Sequence, residues 1–550
     1  MKKFGVAMAL STLLAARVHA QEGHQHPGNA KAVLMPGFGS VHHRIYTPKA
    51  EAQRFFDQGL NLMYGFNHEE AVRSFQRAAA IDPHCVMCRW GAALALGPNI
   101  NDPELDAARE KAAFEAARKA ASVAAESGNR AHSQEQDYVR SLTKRYSADA
   151  KADLKKCAAE YSQAMRDLMR KYPDDLDAAT LFAESAMDLR PWQLWGPDGK
   201  AAPGTEEILG TLESVLKRNP THLGANHYYI HATEASGNPQ RALASAERLK
   251  TLAPASGHLV HMPAHVYMRV GDYHGASHAN EVAAAADRAY ISAHNVEGMY
   301  PLMYYSHNLH FLAVSSSMEG RFHDAQAAAS QVQARAAPAA KDMPMLEWFV
   351  PTPTLVLVRF AKWDEVLRLP KPDPALRLHT AIWRFARGLA FNGHGEFDKA
   401  AEELTALRAV IGQIPKDTMF GFSPAQSVLK VGERMLSGKL AAGRGKTSEA
   451  LKALREAIDA EDQLSYDEPP DWYVPAREAL GAVLLRSGDA AKAEGVFRDE
   501  LTKHPNNGRA LWGLQRSLER QGKSQDASSV NAKFQIAWKY ADTQLRLEDF

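Results

Sequence analysis

The chain has 550 residues, and its 65 lysines and arginines against 64 aspartates and glutamates leave a formal charge of +1. Apolar residues make up 45% and charged residues 23%, a globular balance that excludes disordered and collagen-like chains. The even charge gives no footprint for nucleic acid, and three cysteines exclude a disulfide-stapled scaffold.

From the start, residues 1–20 read as a signal peptide. Lys2 and Lys3 precede an apolar run over residues 4–16, and Val18 and Ala20 are small residues suited to cleavage before Gln21. No later segment has 18 consecutive apolar residues, so no membrane span is expected after cleavage. A periplasmic or secreted protein is expected, with residues 21–51 as an N-terminal extension.

From residue 52 an internal repeat sets the fold. Gly59, Ala71, Phe75, Ala78 and Pro83 fall at positions 8, 20, 24, 27 and 32 of the tetratricopeptide pattern. Positions 8 and 20 must be small where two helices cross, and proline at position 32 cannot continue the second helix. The template returns at Gly388, Gly438 and Gly481, at Ala242, Ala276 and Ala325, and at Pro173, Pro220 and Pro505. The spacing predicts an all-α solenoid superhelix of about 11–12 helical hairpins, without strands. It divides into N-terminal repeats (52–172), central histidine-rich repeats (173–337) and C-terminal repeats (338–550). Two inserts, residues 97–102 and 190–199, interrupt it, and such inserts gather on one face.

The chain resembles large exported bacterial tetratricopeptide-repeat proteins. The resemblance covers nearly all of the mature chain. It rests on His84-Cys85-Val86-Met87-Cys88-Arg89-Trp90-Gly91, Asp188-Leu189-Arg190-Pro191-Trp192, Asn226-His227-Tyr228-Tyr229-Ile230-His231, His261-Met262-Pro263-Ala264-His265 and Glu468-Pro469-Pro470-Asp471-Trp472-Tyr473. It implies the fold and leaves the activity open.

The histidines carry the chemistry. His227 and His231 take positions 5 and 9 of one repeat, and His261 and His265 take the same positions 34 residues on. An i,i+4 pair projects from one helix face. Stacked repeats are therefore expected to bring the four rings to one concave groove, around one transition-metal ion: copper, iron or zinc. His258 and His307 at position 2 and His310 at position 5 add imidazoles to that face, and Glu184 is the candidate catalytic base or ligand. Pro263 suggests a helix starting at Met262, with His258 left in a loop.

Cys85 and Cys88 are disulfide candidates, because Arg89 stands where covalent haem attachment needs histidine. Trp192, Trp195 and Asp188 are candidates for a substrate pocket. The segment 468–473 reads as a rigid linker between repeats.

These features point to an exported metalloprotein, an enzyme of oxidoreductase or hydrolase type, taking a small-molecule or peptide ligand in the groove. The alternatives are an adaptor that binds a peptide or partner protein, with Phe385, Leu389, Glu478, Trp512 and Arg516 as a C-terminal partner surface, and a metal-handling protein.

Overall fold

The computed structural model describes residues 32–127, 133–149, 151–196 and 199–550. The expected signal peptide lies outside them, as do Pro197 and Asp198 of the second insert. The described residues run through helical hairpins: α1 (Ala50–Tyr64) with α2 (His68–Ile81), α3 (Val86–Ala95) with α4 (Ala107–Ser127), α5 (Ser133–Leu142) with α6 (Leu154–Lys171), and α7 (Leu176–Met187) with α8 (Thr205–Arg218). The central hairpins are α9 (Leu223–Thr233) with α10 (Leu243–Leu252), α11 (Gly257–His261) and α12 (Pro263–Val270) with α13 (Tyr273–His294), and α14 (Tyr305–Met318) with α15 (Phe322–Ala336). Then come α16 (Thr352–Arg359) with α17 (Trp363–Arg368), α18 (Arg377–Gly393) with α19 (Phe397–Ile411), α20 (Ala425–Gly443) with α21 (Thr447–Glu461), α22 (Ala476–Arg486) with α23 (Ala490–Lys503), and α24 (Gly508–Arg520) with α25 (Ser524–Ala537). With α11 and α12 taken as one arm, these are twelve hairpins among the described residues.

The repeat residues act as their chemistry requires. α2, α6, α8 and α23 each stop two residues short of Pro83, Pro173, Pro220 and Pro505. Phe75 of α2 is wedged between two hairpins. A Cβ on Gly59 of its own repeat would stand 2.7 Å from its ring, and one on Gly91 of the next repeat 2.5 Å. Phe497 sits in the same way between Gly481 and Gly513. Glycine at position 8 thus admits the aromatic ring that locks successive repeats, and any larger residue would push them apart. The fold is an all-α, tetratricopeptide-like solenoid. Against the expectation of no strands, the described residues hold a two-stranded ladder of Met419–Phe420 against Ser423–Pro424 and two isolated bridges, Asn99 with Asp102 and Trp195 with Ala201. No helix among these residues is long and apolar enough to cross a membrane.

The C-terminal partner surface expected from sequence is mostly interior. Phe385 and Leu389 are buried. Glu478 is buried between Arg359 and Arg509, and accepts further from Asn507. Burial pushes its carboxyl up, but the two guanidinium groups outweigh this and hold it down to about 2. Trp512 stacks on Phe550, with ring centroids 5.4 Å apart. Arg516 alone of the five is exposed. Each repeat's first helix turns these positions toward its neighbours rather than toward an open groove.

The described part of the N-terminal extension is tied to the repeats by polar contacts. Gln58 donates to the Val33 carbonyl and Asn61 to that of Val41. His43 Nδ1 meets Asp177 Oδ2 at 2.8 Å, and the other oxygen of Asp177 accepts from Tyr64. Burial pulls the His43 pKa down, but the hydrogen bond and charge of Asp177 overcome it and raise it to about 9. A histidine with a raised folded pKa stabilises the protein fully below its unfolded value near 6.5, and that contribution is lost as pH rises through 9. Between these limits roughly 3 kcal/mol of unfolding free energy is expected to disappear. Urea unfolding at pH 6.5 and 9.5 should show the loss, and His43→Gln should show a much flatter difference. Equal pH dependence in the two proteins would remove His43 as its source.

Candidate metal centre

The six histidines that come together are supplied by three consecutive first helices. His227 and His231 lie on α9, His258 and His261 on α11, His265 on α12 and His307 on α14. Pro263 does not leave His258 in a loop. Met262 keeps helical torsion angles (φ −52°, ψ −33°) between α11 and α12, and Pro263 takes the first position of α12, where its missing N–H is tolerated. His258, His261 and His265 therefore share one face, at i, i+3 and i+7.

The four rings of the two i,i+4 pairs do not close around a single ion. They divide into two triads, His227 with His231 and His258, and His261 with His265 and His307, each with its ligand nitrogens within 4.8 Å of one another. The register explains the division. Positions 5 and 9 of one repeat meet position 2 of the next, and the arrangement recurs one repeat on. The triads are neighbours: His231 and His265 have ring centroids 5.6 Å apart, and His258 and His261 6.0 Å.

One carboxylate separates the two pairs. Glu234 lies at the end of α9, three residues after His231. It accepts from His231 Nδ1 at 2.8 Å through one oxygen and from His265 Nδ1 through the other. Both rings thus turn Nδ1 toward Glu234 and Nε2 into separate triads. Burial pushes the Glu234 carboxyl up, while the imidazoles on either side bring it down to about 2. His227 Nδ1 donates to the Tyr64 carbonyl at 2.6 Å. His261 Nδ1 donates to Asn280 Oδ1 at 2.6 Å, since the Asn280 amide nitrogen is committed to the Ala276 carbonyl.

These outer acceptors fix the tautomers. In a neutral imidazole whose Nδ1 donates, Nε2 carries a bare lone pair. His261 and His265 face each other Nε2 to Nε2 at 2.8 Å, with both Nδ1 protons already placed. His227 Nε2 stands 3.1 Å from His258 Nε2, His307 Nε2 stands 3.1 Å from His261 Nε2, and His231 Nε2 has no hydrogen-bond partner. Burial, with neighbouring imidazoles adding to it, pushes His227, His258 and His261 well below the ordinary histidine value, so protonation does not relieve the crowding. A cation shared between the nitrogens would. Nitrogens about 3–3.5 Å apart suit metal–nitrogen bonds of ~2.0–2.1 Å, and ligating imidazoles held from behind by carboxylate or carbonyl are the usual second layer of a metal site.

The centre is interior, which differs from the open groove expected from sequence. His227, His231, His258, His261 and His265 are at most 5% exposed. Side chains from distant segments cover them. Phe66, in the α1–α2 turn, packs on His227 with centroids 4.6 Å apart, and Phe311 on His261 at 4.8 Å. Trp192 of the second insert meets His231 edge-on at 5.5 Å and leans on Phe422 at 4.9 Å. Trp195 lies beside it, its indole donating to the Ala232 carbonyl.

Other candidates stand elsewhere. His310 packs against Trp348, Phe349 and Tyr473. Burial lowers its pKa to about 3. Glu184 and Asp188 form a buried cluster with Arg145, whose guanidinium lies 2.6 Å from Asp188 and 4.0 Å from Glu184, so neither carboxylate joins a triad. Burial, and for Asp188 the charge of Glu184, pushes both carboxyls up. The segment 468–473, read as a linker, is largely buried. Tyr466, just before it, lines the same small cavity as His231 and Glu234 and donates to Glu468 at 3.0 Å. Sequence reasoning missed Glu234, although the His231-x-x-Glu234 spacing marks a carboxylate one helical turn from a ligand.

Cys85 and Cys88 are joined in a disulfide at the start of α3. α3 contributes no residue to either triad. A Cys85→Ser, Cys88→Ser double variant is expected to keep its full metal content by elemental analysis. Loss of metal with the helical circular dichroism intact would tie the disulfide to the centre.

No protein-family profile matches the chain, and no curated protein matches it. Solved structures that match it over most of its length include a human IFIT1 dimer with m7Gppp-AAAA, at 13% identity over 90% of this chain and 91% of that one, with a TM-score of 0.34. Yeast Tom70 matches at 12% identity over 89% and 93%, with a TM-score of 0.30. The TPR domain of P58(IPK) matches at 10% identity over 86% and 99%, with a TM-score of 0.21. These are likenesses between helical-repeat chains at low identity and low TM-score, and they say nothing of the histidine centre.

Proposed function

We propose that the protein is an exported metalloprotein that holds two transition-metal ions, one on each histidine triad, and carries out redox chemistry with copper. The observation that carries this reading is the 2.8 Å approach of the His261 and His265 Nε2 atoms, both left bare because their Nδ1 protons are held by Asn280 and Glu234. The donor set favours copper. It is all imidazole, with no carboxylate in either triad, unlike the two-histidine, one-carboxylate arrangement of non-haem iron. The ligands are neutral and buried beside a single carboxylate, so two monovalent ions leave far less uncompensated charge than two divalent ones. Hydrolysis is less well supported, because Glu234 already has both oxygens on histidines and Glu184 is held in the Arg145 cluster. A buried disulfide suits an oxidising compartment outside the cytoplasm.

The test is elemental analysis of the full chain after loading with Cu(I) under reducing conditions and desalting, with zinc loading in parallel. Two coppers per chain are expected, one per triad, and oxidation should give a Cu(II) paramagnetic resonance spectrum with nitrogen splitting. A chain that retains no copper in stoichiometric amount would overturn the reading and return the solenoid to the role of a peptide or protein adaptor.

A further inference from the structure

Trp192 is costly twice over. Its backbone lies in the left-handed region at φ +59°, which strains a residue with a bulky side chain. Its indole N–H is shielded from solvent and has no hydrogen-bond partner, an uncompensated buried donor. Neither cost stabilises the insert. What the conformation achieves is the placement of one ring, edge-on to His231 and against Phe422. Strain of this kind clusters at functional sites.

Behind that ring is a cavity of about 20 Å³, walled mainly by Ile100, Trp192, Leu194, Trp195 and Tyr466 and reaching His231 and Glu234. Space of this size holds roughly one water-sized or diatomic molecule. The wall is predominantly apolar. Arg190, which also contributes to it, is exposed, and the carboxylate of Glu234 is engaged by two histidines. The Glu234 carboxylate at the wall disfavours an anion, and the volume leaves no room for an organic substrate.

We propose that this chamber is the substrate site of the first triad, that its ligand is a small uncharged molecule of the dioxygen class, and that Trp192 is the residue that sets the size limit. The inference rests on the copper reading above and adds the substrate class to it. Of the first triad His231 alone lines the chamber, and its Nε2 is the nitrogen without a hydrogen bond.

The experiment uses two probes that ligate Cu(I) through carbon and differ in bulk. Full-length Cu(I)-loaded protein is exposed to carbon monoxide and to tert-butyl isocyanide, and binding is followed by infrared absorption. The wild type should take carbon monoxide and bind the isocyanide far more slowly. Trp192→Ala should speed isocyanide binding at least about tenfold, the equivalent of lowering a barrier by one factor of ten in rate, with copper content unchanged. Trp192→Phe, which keeps an aromatic ring, should fall between them and guards against a misfolded alanine variant. Isocyanide binding to the wild type as fast as carbon monoxide, or equal isocyanide rates in wild type and both variants, would overturn the proposal. A metal-free arm separates this from failure of the copper reading. Carbethoxylation of His231 by diethyl pyrocarbonate, read by mass spectrometry, should be slow in the wild type and faster in Trp192→Ala. If the protein holds no copper, the function proposed above falls and the size-limiting wall still stands or falls on this arm.

Discussion

Removing one histidine should remove one metal ion, and only one. His231→Ala breaks the first triad and leaves His261, His265 and His307 in place, so bound copper should fall from two per chain to one. His265→Ala should do the same from the other side, and the double variant should retain almost none. A single four-histidine site, the arrangement suggested by the two i,i+4 pairs alone, would instead lose all its metal with either single change. The helical circular dichroism should persist in every variant, because the ring-and-glycine locks at Phe75 and Phe497 lie elsewhere. Thermal stability should nevertheless fall, since both rings are buried and each substitution strips Glu234 of a partner. Elemental analysis beside thermal melts decides the matter.

Glu234 should matter to both ions although it ligates neither. Its two oxygens fix the tautomers of His231 and His265, one ligand from each triad. Glu234→Ala leaves two buried Nδ1–H groups unpaired, at about 1–3 kcal/mol each, and frees both rings to turn. Copper affinity is expected to drop about 10–100-fold at each triad, the usual effect of losing a group that orients a metal ligand. Glu234→Gln offers one acceptor oxygen in place of two, so its loss should be uneven between the triads. Competition with a Cu(I) chelator measures the affinities, and denaturant unfolding of the metal-free protein measures the structural cost. A Glu234→Ala protein with wild-type affinity at both sites would show that the rings are oriented by other contacts.

The scaffold was legible because its signals are local. Gly59 and Phe75 sit 16 residues apart, as Gly481 and Phe497 do, and proline stops a helix whatever surrounds it. The two histidine pairs were legible for the same reason, since an i,i+4 spacing selects one helix face. The partition into triads was not, because the third ligand comes from position 2 of the neighbouring repeat, and the sequence does not state how far one first helix slides along the next. Burial of the centre was hidden as well. Phe66, Trp192 and Phe422 come from a turn, an insert and a short hairpin, and each is brought to the histidines by contacts far apart in the chain. Glu468 belongs to a stretch whose prolines read as a spacer, with Tyr466 just before it, and prolines stiffen a buried strap as readily as an exposed one.

The register has a further consequence: the number of histidine triads is a matter of copy number. A site needs histidine at positions 5 and 9 of one first helix and at position 2 of the next, so a series of such helices yields one site fewer than its members. The series here has definite ends. On α7 the corresponding positions hold Thr180 and Glu184, and position 2 of α9 is Gly224, packed against Tyr64. On α14 position 5 is still His310, but position 9 is Val314, buried in the apolar core. His310 is thus an unfinished pair, and a single apolar side chain one turn away closes the array at two. Lengthening it would take a histidine at 314 and another at position 2 of the following first helix, with no change of fold. A protein built this way gains or loses reactive centres in whole units, as it gains or loses repeats.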